Sequence, residues 1–299
     1  MSSGKDTTKL RRQLLAWYAS NGRAFPWRTQ PSDPYVVLCS EVMLQQTQAS
    51  RIAERLPQFL TEFPTIRHLA QATNGMMIRS WQGLGYNSRA LRLRDAASII
   101  VDKHDGAVPP TIEQLRALPG IGAYASAAIA CFAYGVRSVV LDVNIRRVYS
   151  RWMQRQLLTT DVADDATIGV FAQQVIPQRN ADTWHHAVMD LGATICTARK
   201  PLCEACPLSS VCPSAHALTL GVRPPKREPQ FRGEPVRLWR GRIVTFLQSR
   251  DHASHHDIFR GITGNIPADT DIAWITDVIH KLCNDGMVVL DGDCVALPA

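Results

Sequence analysis

The sequence has no apolar run long enough to span a bilayer, and its first residues carry Lys5, Lys9, Arg11 and Arg12 around a short amphipathic stretch rather than the hydrophobic core of a signal peptide. These absences argue against a membrane or secreted protein, and the expected compartment is the cytoplasm. There is no internal repeat and no low-complexity tract, which sets aside solenoids and disordered tails. Strand periodicity is missing from about Thr8 to Ile195, which disfavours a parallel-sheet fold. Disulfides are not expected in a reducing compartment, and Cys39, Cys131, Cys283 and Cys294 sit in apolar contexts and read as core residues.

What is present is an ordinary globular composition over 299 residues, 45% hydrophobic and 20% charged, enough for two or three domains. The 33 Lys and Arg exceed the 26 Asp and Glu and give a net charge of +7, so a polyanion, nucleic acid before membrane, is the expected partner. Successive amphipathic helices are predicted around Leu10, Leu14 and Trp17, over Leu91 to Ile100, from Ile121 to Phe132 and from Ile145 to Trp152. A Pro- and Arg-rich stretch then reads as a linker at 217–235. Beyond it, helices are predicted over Val236–Gln248, Ile258–Ile262 and Asp271–Asn284. Apolar runs at Met287–Leu290 and Cys294–Leu297, joined by Asp291-Gly292-Asp293, predict a two-stranded wing. The fold class expected is all-α in two lobes over 1–216, with a small α+β, winged-helix-like module at 236–299.

Cys196, Cys203, Cys206 and Cys212 follow a C-x6-C-x2-C-x5-C spacing. Four soft thiolates in one short loop suit an iron–sulfur cubane or tetrahedral zinc. Structural zinc usually pairs two short knuckles, and only Cys203 and Cys206 form one, so the uneven spacing favours a [4Fe-4S] cluster, with zinc and unrelated core cysteines as alternatives. Upstream, Leu118-Pro119-Gly120-Ile121-Gly122 lies between a helix capped near Thr111 and an apolar helix. Gly120 and Gly122 permit a tight turn whose free backbone N–H groups can bind a phosphate.

This turn resembles the helix-hairpin-helix of DNA repair proteins, spanning about 111–134, and with the cysteine loop at 196–212 it resembles the endonuclease III superfamily of DNA glycosylases. Pro26-Trp27-Arg28, Ser40-Glu41-Val42-Met43-Leu44-Gln45-Gln46-Thr47-Gln48, Gly83-Leu84-Gly85-Tyr86 and Met189-Asp190-Leu191-Gly192-Ala193 resemble its adenine DNA glycosylase (MutY) branch. The similarity runs from roughly Trp17 to Cys212. It implies base excision repair of double-stranded DNA, removing adenine mispaired with 8-oxoguanine or guanine.

Breaking an N-glycosidic bond asks for one protonated carboxyl to help the base leave and one ionised carboxylate to stabilise the sugar cation. Glu41 lies among Val42 to Leu44, where a desolvated carboxyl keeps its proton. Asp142 begins a helix whose N–H dipoles favour an anion. A solvated helix charge and an ordinary N-cap are the alternative readings of the two. The resemblance implies that Glu41 is the general acid and later the base activating water, that Asp142 stabilises the sugar, and that the two meet across a cleft. Tyr124 stands where related bifunctional enzymes have a Schiff-base lysine. Tyrosine cannot form an imine, so a monofunctional enzyme is expected, with Tyr124 and Asn144 assisting Asp142. By the same resemblance Trp27, Arg28, Gln46, Tyr86, Gly120, Gly122, Arg199 and Lys200 are expected to serve DNA binding, Gln46 and Tyr86 by entering the base stack beside an extruded nucleotide.

The sequence departs from the family after Cys212, where the large Nudix-like domain of many relatives is not expected to fit. In its place, Arg223 to Arg242 holds seven Arg or Lys against Glu228 and Glu234, a strip expected to grip phosphates. Ser254-His255-His256 faintly resembles a lesion-reading loop. Two other functions stay open: a thymine or uracil glycosylase acting opposite guanine, against which Glu41 argues, and a non-enzymatic winged-helix regulator with a metal-sensing loop. A monomer is expected.

Overall fold

The computed structural model describes residues 4–154, 156–222 and 228–298. Its helices begin with α1 (Gly4–Asn21), α2 (Pro34–Leu44), α3 (Ala49–Glu62), α4 (Ile66–Ala70), α5 (Asn74–Ser80), α6 (Ser88–His104) and α7 (Ile112–Arg116). They continue with α8 (Ala123–Tyr134), α9 (Val143–Met153), α10 (Asp165–Val175) and α11 (Ala181–Thr194), then α12 (Val236–Leu247), α13 (His255–Thr263) and α14 (Asp269–Asn284). Among the described residues the strands are short and lie beyond the cysteine loop: β1 (Gln230–Phe231), β2 (Glu234–Pro235), β3 (Ala253–Ser254), β4 (Val289–Asp291) and β5 (Cys294–Ala296). The chain forms two compact units, one of residues 1–38, 110–117 and 121–225, the other of 39–109, 118–120 and 226–299.

The first unit is built on α1 and α8 to α11. Leu10 and Leu14, one turn apart on α1, are buried, as are Ile145, Val148 and Trp152 on α9 and Trp184, Val188 and Leu191 on α11. Each such side chain contributes about 1.5–3 kcal/mol by leaving water. The buried Trp184 indole donates to the Tyr149 hydroxyl at 2.8 Å, which satisfies a polar group the core would otherwise strand. Side-chain caps set the helix starts: Thr111 accepts from the Gln114 N–H before α7, and Asp142 accepts from the Ile145 N–H before α9.

In the second unit Ile52, Leu56 and Phe59 of α3, Leu69 of α4, Met77 and Ile78 of α5 and Leu93 and Ile100 of α6 are buried. Residues 226–299 belong to this same unit. The Asn74 amide donates to the Gly286 carbonyl, and the Gln248 amide to the Ile78 carbonyl, each at 3.2 Å. The C-terminal helices form where the apolar spacing placed them, around Trp239, Ile243, Phe259, Ile275, Ile279 and Val295.

Two expectations are corrected here. The linker contains an antiparallel hairpin, β1 with β2, whose Phe231 stacks on Trp274 at 3.7 Å between ring centroids; its burial needs α14, which lies far away in sequence. The wing has three strands in the order β3-β5-β4, because Ala253 and Ser254 pair with Val295 and Cys294. Two residues are too few for an alternating pattern to reveal a strand.

Candidate active site and cluster loop

In the first unit, Asp142 is half-buried at the N-terminus of α9. It accepts from the Ile145 N–H at 2.6 Å and from the Asn144 amide at 2.9 Å. Burial pushes its pKa up, and these hydrogen bonds together with the Arg147 cation only partly oppose that push. The N–H groups at the helix start favour the anion, and desolvation is the larger, opposing effect. Asn144 is fixed in turn, because its carbonyl accepts from Arg147 at 2.8 Å. Arg147 also donates to the Gly192 carbonyl at 2.6 Å and the Cys196 carbonyl at 2.8 Å. Such close passage of α11 by α9 needs a glycine, since a Cβ on Gly192 would lie 2.8 Å from the Asn144 Cβ. Tyr124 is half-buried in the first turn of α8, whose N-cap is the exposed Gly122.

Cys196, Cys203, Cys206 and Cys212 line one small cavity with Pro201, Leu202 and Trp152. Burial, reinforced by the neighbouring thiols, pushes Cys206 up to about 12 and Cys212 to about 11, so bound iron is what would hold this set as thiolates. Among the described residues no three His, Cys, Asp or Glu side chains converge on a point that could hold a single metal ion. Four thiols standing around a cavity fit a cluster better than tetrahedral zinc. Arg151 donates to the Cys196 sulfur at 3.2 Å and to the Thr197 carbonyl at 3.0 Å. Arg199 and Lys200 are exposed on the same loop.

In the second unit, Glu41 is 4% exposed on α2, with Cys39, Val42 and Met43 buried about it. The turn after α2 puts Gln46 at φ 57° and exposes it, and the neighbouring Gln45 amide donates to the Gly120 carbonyl at 3.2 Å. Gly120 is exposed at φ 77°, a left-handed conformation glycine adopts without penalty. Tyr86 is 43% exposed at φ 49°.

Residues 39–162 match the family described as HhH-GPD superfamily base excision DNA repair protein, and residues 196–212 match the iron-sulfur binding domain of endonuclease III. Over 279 residues the chain is 37% identical to an adenine DNA glycosylase of Mycobacterium tuberculosis, covering 90% of this chain and 84% of that protein. The chain belongs to the adenine DNA glycosylase family. It is also 33% identical over 288 residues to the Mycolicibacterium smegmatis protein of that name, covering 94% and 93% of the two chains. A solved thermostable thymine-DNA glycosylase superposes with a TM-score of 0.65 at 27% identity, over 71% of this chain and 97% of that one. A non-covalent endonuclease III–DNA complex gives 0.60 at 19% identity, over 71% and 96%, and shows the shared fold.

As an adenine DNA glycosylase family member the protein binds DNA and carries a [4Fe-4S] cluster, and the four loop cysteines are the residues that would hold it. The family's Pro26-Trp27-Arg28 segment, expected at the DNA, is engaged within the protein. Trp27 is 7% exposed and stacks on Phe25 at 4.6 Å. Arg28 donates to both oxygens of the fully buried Asp190, at 2.9 and 3.1 Å, beside Arg23 at 2.7 Å. The arginines of the basic strip have carboxylate partners within the chain. Arg232 pairs with Asp271, Arg237 with Glu228, Arg240 with Asp285 and Arg242 with Glu234, while Arg223, Lys226 and Arg227 lie outside the described residues. Ser254-His255-His256 is not an open loop. Ser254 caps α13, and His255 is buried with Nδ1 2.8 Å from Asp293.

The sequence reading missed Arg89, Arg147 and Arg151, which are all buried. For the last two a signal existed, since they stand three and seven positions after Asn144, on the helix face that turns inward.

Proposed function

We propose that the protein is a monofunctional DNA glycosylase that hydrolyses the N-glycosidic bond of adenine mispaired with 8-oxoguanine or guanine, acting as a monomer in the cytoplasm. The observation that carries the reading is the burial of Glu41, 4% exposed within the family's Ser40–Gln48 segment. An acid held out of bulk water is suited to giving its proton to a nitrogen of the leaving base rather than to solvent. The bond from that base to the sugar C1′ breaks, and the Asp142 carboxylate, held by the Ile145 N–H and Asn144, stabilises the positive charge left on the sugar. Water then bonds to C1′ and loses its proton to the Glu41 carboxylate, which restores the acid. Tyr124, where an attacking lysine would stand, provides no amine for an imine, so the strand stays intact at an abasic site. Cys196, Cys203, Cys206 and Cys212 would hold the cluster, which would brace the loop that carries Arg199 and Lys200 toward phosphates.

The test is incubation with duplexes containing A:8-oxoG, A:G, T:G and U:G, with and without alkali. Strand breaks that need alkali, confined to adenine in the first two, are expected. Release of thymine or uracil instead would overturn the choice of base, and breaks without alkali would overturn the monofunctional assignment.

A further inference from the structure

Arg89 begins α6 with its guanidinium inside the protein, only 6% of the residue exposed, and no carboxylate pairs with it among the described residues. Its acceptors are backbone. Nη1 donates to the carbonyls of Val42 and Met43, at 3.2 and 2.8 Å, and to that of Gln45. Nη2 donates to the Thr47 hydroxyl at 3.1 Å and to the carbonyls of Leu84 and Gly85 at 3.2 and 2.9 Å. Nε reaches the Tyr86 carbonyl at 3.4 Å. The guanidinium also lies 5.4 Å from the ring centroid of Trp81 and 5.8 Å from that of Tyr86. One planar cation thus joins the turn that bears Gln46 to the turn that bears Tyr86.

Both tips are strained, with Gln46 and Tyr86 in the left-handed region where side chains other than glycine lose about 1 kcal/mol or more. A turn of this kind persists only where its surroundings over-determine it, and here one side chain engages the Gln45 carbonyl and Thr47 hydroxyl that flank the first tip and the Gly85 and Tyr86 carbonyls at the second. Lysine cannot replace it, because three donors on a single nitrogen do not span two turns. Burial lowers the Arg89 pKa to about 10, which leaves it charged at neutral pH.

We propose that Arg89 is a positioning residue for base extrusion: it holds Gln46 and Tyr86 at a fixed separation and pitch, so that the two enter the base stack as one wedge. This rests on the proposed glycosylase function and on the family resemblance by which Gln46 and Tyr86 enter the base stack. Arg89 donates to backbone carbonyls and to Thr47 rather than to Glu41 or Asp142, so its loss should act on stack opening and leave the acid chemistry at Glu41 unaltered.

The experiment uses the full chain with its cluster and an A:8-oxoG duplex carrying 2-aminopurine beside the adenine, whose fluorescence rises when the stack opens. Arg89→Lys should cut both the fluorescence rise and the single-turnover rate about tenfold, with melting temperature and cluster absorbance close to the parent. In a Gln46→Ala/Tyr86→Ala background the same change should alter either reading less than about twofold, because what Arg89 positions is gone. Should Arg89→Lys fail to fold, Thr47→Val removes one of its acceptors, and the same loss of fluorescence, in smaller measure and absent from the double-variant background, is expected. Parent-like fluorescence in the folded variant, or equal losses in both backgrounds, would overturn the proposal. A parent protein that releases no adenine would instead overturn the functional reading on which it rests.

Discussion

Alanine at Gly192 tests how tightly the α9–α11 contact sets the candidate catalytic carboxylate. In the middle of a helix, Gly→Ala ordinarily stabilises by about 0.5–1 kcal/mol. At Gly192 the new Cβ would stand 2.8 Å from the Asn144 Cβ, 3.2 Å from a Val148 methyl and 3.3 Å from the Asn144 Cα. Carbon pairs settle at about 3.5–4.0 Å, and the nearest atoms are the root of a side chain and backbone, which cannot swing aside. Helix α9 must therefore retreat by roughly 0.7–1.2 Å. Overpacking of this kind costs about 1–3 kcal/mol, which leaves a net loss of about 0–2 kcal/mol after the helix gain. Asn144 and Asp142 move with the helix, and a misplacement near 1 Å costs on the order of 100-fold in rate.

Single-turnover adenine release from an A:8-oxoG duplex should thus fall about 30- to 100-fold, while the melting temperature drops by at most about 8 °C. Gly169, inside α10, is the control, since a Cβ there meets nothing within 4 Å. Gly169→Ala should raise stability by up to about 1 kcal/mol and leave the rate alone. A Gly192→Ala protein that releases adenine within about threefold of the parent rate would refute the reasoning, because it would show that α9 accommodates the methyl without disturbing Asp142.

Glu41→Gln should abolish base release while duplexes with A opposite 8-oxoG still bind, as followed by fluorescence anisotropy; undiminished release would remove Glu41 from the chemistry. The acid side of the rate-against-pH profile should lie above the ordinary aspartate value of about 3.9, because burial raises Asp142 and its anion is the working form; an Asp142→Asn protein with the parent profile would contradict this. Asp190 has the opposite sign. Burial pushes its pKa up, but the bonds and charges of Arg28 and Arg23 outweigh that and leave it lowered. The pair's stability is therefore complete above about pH 3.9, the unfolded value, and is lost as pH falls through the lower folded value. Asp190→Asn should lower stability by about 3–5 kcal/mol at pH 7 and flatten the acid limb of a denaturation series; an unchanged acid limb would count against the pair. Cys206→Ser should lose the brown colour of the cluster and its iron, whereas a parent protein isolated colourless with stoichiometric zinc would overturn the cluster.

The local elements were legible because their causes are local. The helix starts at Thr111 and Asp142 are capped by their own side chains, bonding an N–H three residues on, and the hairpin glycine needs its positive φ whatever surrounds it. The cysteine spacing likewise fixed the cluster loop, since a closed set of four thiolates is a property of the intervening chain length. Even the C-terminal helices were marked by their apolar period.

Tertiary structure alone decided which way burial and pairing shift each charged group and which side chains have partners. The Arg28–Asp190 pair joins residues 162 positions apart, and it turns a motif that looked available to DNA into part of the interior. Asp142 has the N-cap that sequence predicts, yet its pKa rises, because desolvation sums over every neighbour that displaces water while the cap contributes single hydrogen bonds. Four arginines of an apparently basic strip are matched by carboxylates, one of them Asp285, 45 positions from Arg240. Arg89 had no sequence signal, since its acceptors are backbone carbonyls, which every residue supplies. Hydrogen-bonding periodicity and turn chemistry are written in neighbouring residues; burial and pairing are properties of distant chain brought together, and they exist only once the fold does.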